Sequence, residues 1–382
     1  MNQADSIHSE SFGGSPLKMA VIGVGHLGRI HARLIQSIPG VDLVAVVDPR
    51  PKARSEVSRE FQVLGLEDYR QLYGKVDAAV IAAPTRLHRT LGQDLLLHGI
   101  HVLVEKPLAE SRDQARELVA AAAKAKRVLQ VGHIEQFNPA WLAVRPHLGR
   151  PKYIEAERCS GFSFRSTDIG VVHDLMIHDL DLVVSLAGDA TLLDIQGLGV
   201  SVFGKLEDMA QARLQFSDGL VVNLTASRVG FQTSRQMTIF DATACARIDF
   251  SVPSAELIRP QRQLLSGEFD SDSLADEEKQ KLIDNSFADL LPCTILEVEP
   301  QNALLNELKD FVSSIQTGAM PRVSGQQGLD AVEIADGVVE AIHQHHWDDD
   351  AGSPGEVVHS KQTTIVSPAA WPPMGNTTRK AG

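Results

Sequence analysis

The chain has 382 residues, 43% of them hydrophobic and 22% charged: an ordinary globular composition, at a length that calls for two domains. Its formal net charge of −13 opposes binding to nucleic acid or to an anionic membrane through the general surface field, while leaving room for an anionic small molecule in a local basic pocket. No apolar run approaches a membrane span, residues 1–17 lack the pattern of a signal peptide, and three scattered cysteines (Cys159, Cys245, Cys293) indicate neither a disulfide framework nor a thiolate zinc site, so a cytoplasmic chain is expected.

Residues 1–17 lack periodicity and read as a disordered arm. From Lys18 onward, strand-like runs at 19–24, 41–48, 77–83, 101–105 and 128–132 alternate with helical stretches, the clearest at 112–126 with Ser111 as its cap. This grammar predicts an α/β domain over 18–150, a parallel sheet with helices on both faces, closed by the turn cluster Gly149-Arg150-Pro151.

The first β–α turn reads Gly23-Val24-Gly25-His26-Leu27-Gly28. Gly23 permits the tight turn, Gly25 admits a pyrophosphate against backbone N–H groups, and Gly28 lets helix and strand pack closely. A helix beginning near His26 offers unpaired donors to phosphate. Asp48 closes the second strand, where a carboxylate can accept both hydroxyls of an adenosine ribose. The pattern predicts a Rossmann domain binding NAD, although Arg50 is close enough to hold the 2′-phosphate of NADP.

Three further segments fall at strand ends facing the same crevice. Pro84-Thr85 with His88 follows 77–83 and is expected to contact the cofactor. Glu105-Lys106-Pro107 ends 101–105, where an ammonium can polarise a carbonyl or hold the oxygen of an alcohol losing hydride, with Glu105 to orient it. His133 and Asn138 follow 128–132 and are candidates for the substrate side.

Beyond residue 150 the pattern changes. A helical segment at 171–186 precedes extended runs at 193–199, 209–216, 220–227, 236–242 and 246–252, with Ser217-Asp218-Gly219 as a hairpin signal. These predict an α+β domain over 151–346 with a largely antiparallel open sheet, closed by helices at 301–317 and 325–345. Residues 266–287 read as a surface loop or loose helix. Residues 347–382 read as a mobile tail with a short extended patch at 363–366. On the 171–186 helix, Asp174 and His178 stand at i and i+4, with Asp181 a turn further. A carboxylate beside an imidazole suits a general base, so Asp174 is expected to orient His178, and Asp181 to meet a substrate hydroxyl. His173 and His178, at i and i+5, diverge too far to share a metal. Arg165, just before this helix, is the candidate for a substrate phosphate.

Taken together, Gly23-x-Gly25-x-x-Gly28, Pro84-Thr85 with His88, Glu105-Lys106-Pro107 and Asp174-x-x-x-His178 ending in Asp181 make residues 18–345 resemble the Gfo/Idh/MocA oxidoreductases. The resemblance implies a Rossmann domain, a C-terminal sheet that often builds a homo-oligomer, and a lysine (Lys106) and a histidine (His178) serving a sugar hydroxyl without a metal. The runs Gln136-Phe137-Asn138-Pro139 and 165–179 resemble the branch that oxidises the 3-hydroxyl of UDP-N-acetylglucosamine ahead of an aminotransferase in lipid A biosynthesis. His173 departs from that branch, where an apolar residue is expected. A dehydrogenase of free sugars or inositols is the alternative within the family. A non-catalytic NAD-sensing protein is the alternative outside it, although such a sensor needs neither Lys106 nor the Asp174–His178 pair.

Overall fold

The computed structural model describes residues 15–163, 169–230 and 232–345. The expected arm (apart from 15–17), the tail with its patch at 363–366, and Arg165 lie outside the described residues.

The first sheet comprises β1 (Leu17–Ile22), β2 (Val41–Val47), β3 (Leu64–Leu66), β4 (Ala78–Ile81), β5 (His101–Glu105) and β6 (Leu129–Gly132). Its order is β3-β2-β1-β4-β5-β6, all parallel, with the reversal of strand order between β1 and β4. The apolar runs are continuous because both faces are covered. Met19 and Val21 of β1 enter a core shared with α1 (His26–Ile35), while Ala20 and Ile22 enter one on the other face. Between β2 and β3 runs the more exposed α2 (Pro51–Phe61). The second face is covered by α3 (His88–Leu97) and α4 (Arg112–Ala125), through Leu95 and Leu118. Ser111 caps α4 as its sequence predicts, accepting the Gln114 N–H.

A short helix, α5 (Pro139–Val144), leads into β7 (Pro151–Cys159), a strand the sequence pattern did not single out. The predicted helix at 171–186 forms in two parts: a π-helical turn, Val172–Met176, then α6 (Ile177–Ala187). The second sheet continues with β8 (Leu192–Val200), β9 (Met209–Phe216), β10 (Val221–Ser227), β11 (Ser234–Asp241), β12 (Cys245–Asp249), β13 (Ser254–Ile258) and β14 (Cys293–Ile295). Its order is β14-β13-β12-β11-β7-β10-β9-β8, antiparallel except where β7 lies parallel to β10. One face packs on α6 through Leu180 and Val183. The surface segment holds α7 (Arg262–Leu265) and α8 (Asp276–Asp284), which has no buried residue.

Two closing helices tie the halves together. In α9 (Ala303–Thr317), Phe311 joins the core of the first sheet beside α1. Along α10 (Gly325–Gln344), Val332 packs against the first sheet's core and Val338 against the second's. Arg112 on α4 donates to Asp336 of α10, and so does His173 Nε2, at 2.9 Å from Asp336 Oδ1. No helix among the described residues is long and apolar enough to cross a membrane.

Candidate active site

Gly23 adopts φ +86°, and a Cβ there would stand 2.6 Å from the Ala82 carbonyl oxygen, so the turn off β1 accepts no side chain. Gly28 is tighter still: its Cβ would lie 1.8 Å from Gly23 O. Gly25, by contrast, faces open space at the N-cap of α1, and no side chain caps the helix. The exposed N-terminal turn, His26 and Leu27 included, is therefore free to meet a pyrophosphate. Asp48 Oδ2 accepts the Val24 N–H at 3.0 Å, fastening the glycine turn to the end of β2. Arg50 covers the same carboxylate, its Nε 3.0 Å from Oδ1 and its Nη2 2.9 Å from Oδ2. Burial pushes the Asp48 pKa up, yet these hydrogen bonds and the Arg50 charge outweigh it and leave the group below its ordinary value. Both oxygens thus accept hydrogen bonds, and the 66%-exposed Arg50 side chain lies over the carboxylate. These features fit a dinucleotide.

The catalytic side of the crevice is a cavity between the two sheets, bordered by Lys106, His178, Glu135, Arg158, Leu175 and Arg235. Lys106 Nζ donates to the Asp174 backbone carbonyl at 2.6 Å and to Asp174 Oδ1 at 3.1 Å. An ammonium has three donors, so one remains for a substrate oxygen. The expectation that Asp174 orients His178 is corrected here. Asp174 turns to Lys106 instead, and no hydrogen bond joins it to His178 among the described residues.

His178 is half-buried, with Nδ1 shut in without a partner among the described residues, leaving Nε2 as the nitrogen the cavity can reach. Burial, then the charges of Lys106 and Arg158, hold its pKa well below the ordinary histidine value. It is therefore neutral, with a lone pair available for a proton. His133 lies edge-on to it, ring centroids 6.3 Å apart, fully buried and pushed down to about 3 by burial and by Lys106. It packs beneath His178 and does not face the substrate side.

Glu105 does not orient Lys106. Its Oε1 accepts from His31 Nε2 at 2.6 Å, a partner on the buried face of α1 that sequence reading missed. Burial raises the Glu105 pKa, but the His31 bond and the neighbouring positive charges more than offset it, so Glu105 stays ionised. His88 is turned inward. It is 1% exposed, with its ring between the carbonyls of Ala83 and Pro107, so that it braces the Pro84-Thr85 turn against the lysine loop.

Two expected substrate residues are buried as well. Asn138 caps α5 by accepting the Ala140 N–H at 3.0 Å and donates to Glu135 Oε2 at 2.9 Å. Asp181 accepts from Gln136 at 2.8 Å and from Gln327 of α10 at 2.7 Å, and burial pushes its pKa up to about 7. Below the cavity lies a network that sequence reading also missed. Arg158 of β7 meets Asp179 through two hydrogen bonds, 3.0 and 2.7 Å, and Glu135 at 2.8 Å. A signal for it exists: alternation along β7 puts Arg158 on the inward face with Ile154 and Ala156.

Comparison with known proteins agrees with this geometry. Residues 17–133 match the family model described as "Oxidoreductase family, NAD-binding Rossmann fold", and residues 130–243 match the "GFO/IDH/MocA C-terminal domain". UDP-N-acetylglucosamine 3-dehydrogenase of Acidithiobacillus ferrooxidans is 38% identical over 235 residues, 61% of this chain and 74% of that protein. The chain belongs to the Gfo/Idh/MocA oxidoreductase family. A solved structure of the same Acidithiobacillus enzyme superposes with a TM-score of 0.75 at 31% identity, covering 85% of this chain and 97% of that one. The scyllo-inositol 2-dehydrogenase (NAD(+)) of Bacillus subtilis is 29% identical over 238 residues, 56% of this chain and 67% of that protein. The cofactor of this Rossmann domain is NAD.

Proposed function

We propose that this protein oxidises a secondary hydroxyl of a sugar, the 3-hydroxyl of UDP-N-acetylglucosamine. The observation that carries the reaction type is the pairing of a neutral His178 with an anchored Lys106 across one cavity at the carboxyl ends of β5 and β6. NAD, when bound, takes the hydride from the reacting carbon. His178 Nε2 accepts the hydroxyl proton as that hydride departs. Lys106 holds the oxygen and offsets its developing negative charge through the donor that Asp174 leaves free. His133, packed edge-on beneath His178, keeps that ring in place.

The substrate is supported by likeness to the Acidithiobacillus enzyme, which this chain matches over most of that enzyme's length. The 3-keto sugar formed is a substrate for an aminotransferase. The test is NADH formation by purified protein with UDP-N-acetylglucosamine, free N-acetylglucosamine, glucose and myo-inositol, with a carbonyl trap to draw the equilibrium forward. Turnover of the UDP-sugar alone supports the reading. Turnover of inositol or a free sugar alone keeps the chemistry and refutes the substrate.

A further inference from the structure

We propose that Arg235 holds the anionic group of the substrate, a phosphate or a carboxylate, at the cavity wall opposite the cofactor domain. This rests on the reading of the cavity as a sugar site. Arg235 stands directly across from Arg158 in the β11–β7 register, and both border the cavity. Like charges opposed on neighbouring strands destabilise a sheet, so such a pair calls for compensation. Arg158 has it, from Asp179 and Glu135. Arg235 has neither an ion pair nor a side-chain hydrogen bond with any described residue.

The strand's own pattern shows that its position is imposed. Met237 and Ile239 alternate into the core, and Arg235 shares their parity, so it stands exposed on the core-side face at the strand end that borders the cavity. Of the three cations bordering the cavity, Lys106 is committed to Asp174 and Arg158 to two carboxylates. Arg235 alone retains a full guanidinium fork for an incoming anion, and that fork matches phosphate or carboxylate in two-point contact. An anion bound there also removes a positive charge that now depresses the basicity of His178, so substrate binding readies the base.

The experiment is calorimetric titration of the NAD-loaded full chain with UDP and with glucuronate, for the wild type, Arg235→Gln and Arg235→Lys. UDP affinity is expected to fall roughly tenfold to a hundredfold in Arg235→Gln, the range of a charge-assisted hydrogen bond, and to recover in part in Arg235→Lys. NAD affinity should be unchanged in both variants, which shows that they fold. If glucuronate and not UDP depends on Arg235, the anion site stands with a carboxylate as its source, and the nucleotide-sugar substrate falls. If the wild type binds neither probe, or Arg235→Gln binds both as the wild type does, the assignment is overturned. Oxidation of UDP-N-acetylglucosamine by the wild type, measured alongside, shows whether the proposed function survives that result.

Discussion

Truncating Asp174 to alanine isolates what its carboxylate does for Lys106. At 3.1 Å and an effective dielectric of about 20, the Lys106–Asp174 attraction is roughly 5 kcal/mol gross. Desolvation of both groups cancels much of it, and the Asp174 carbonyl, 2.6 Å from Nζ, survives the substitution. A net loss of about 1–3 kcal/mol remains, the scale of a hydrogen bond to a charged group. Because the freed ammonium no longer meets the substrate oxygen at a fixed point, that loss falls on kcat, a reduction of roughly tenfold to a hundredfold. Steady-state kinetics on Asp174→Ala, Lys106→Ala and the double variant measure it. Asp174 acts through Lys106, so the double variant should be no slower than Lys106→Ala alone. The acid limb of the kcat/KM profile, which reports His178, should not move in Asp174→Ala. A double variant slower by the product of the two single losses, or a displaced acid limb, refutes this reasoning and returns Asp174 to the histidine.

Three other substitutions probe the frame around the site. Asp181 is raised to about 7 in the folded protein from an ordinary 3.8, so its contribution to stability is complete below pH 3.8 and is lost as pH rises to about 7. Asp181→Asn should abolish that dependence, flattening denaturant-derived stability by about 1.4 kcal/mol per pH unit across the window relative to wild type; an unchanged slope contradicts it. Arg158→Met strands Glu135 and Asp179 as unpaired buried carboxylates and should cost about 3–5 kcal/mol, read as a lowered urea midpoint. An unaltered midpoint would show that the network is not structural. Arg50→Ala uncovers Asp48 without touching its tie to Val24, and should leave NAD binding equal or tighter while weakening NADP binding, as titration of each cofactor would show. Weakened NAD binding would place Arg50 on the NAD itself.

Much of the first domain was legible because its signals are local. Apolar runs such as 19–22 and the Gly23–Gly28 spacing report a doubly covered parallel sheet and its first turn directly, and the strand order follows from few alternatives. The second sheet was legible as antiparallel, but β7 was missed although its nine residues alternate polar and apolar, and its place at the centre beside parallel β10 is set by tertiary pairing.

For the site, strand-end position singled out Lys106 and helical spacing from Asp174 singled out His178, and the cavity brings them together. Partnership was what sequence could not supply. Asp174 finds Lys106, sixty-eight residues away, rather than His178, and no spacing rule foretells it. Glu105 finds His31, seventy-four residues away, and Asp181 finds Gln327 across the two halves of the fold. Arg158 and Arg235 were readable in principle, since each breaks an apolar alternation on an inward face.

The most direct test of the central claim is to supply UDP-N-acetylglucosamine deuterated at C3 and follow the label. Deuterium should appear in the reduced nicotinamide, with a primary isotope effect on the single-turnover rate and a sugar product lacking the label. Reduced nicotinamide without deuterium, or label retained in an oxidised sugar, would place the reaction at another carbon and contradict that claim.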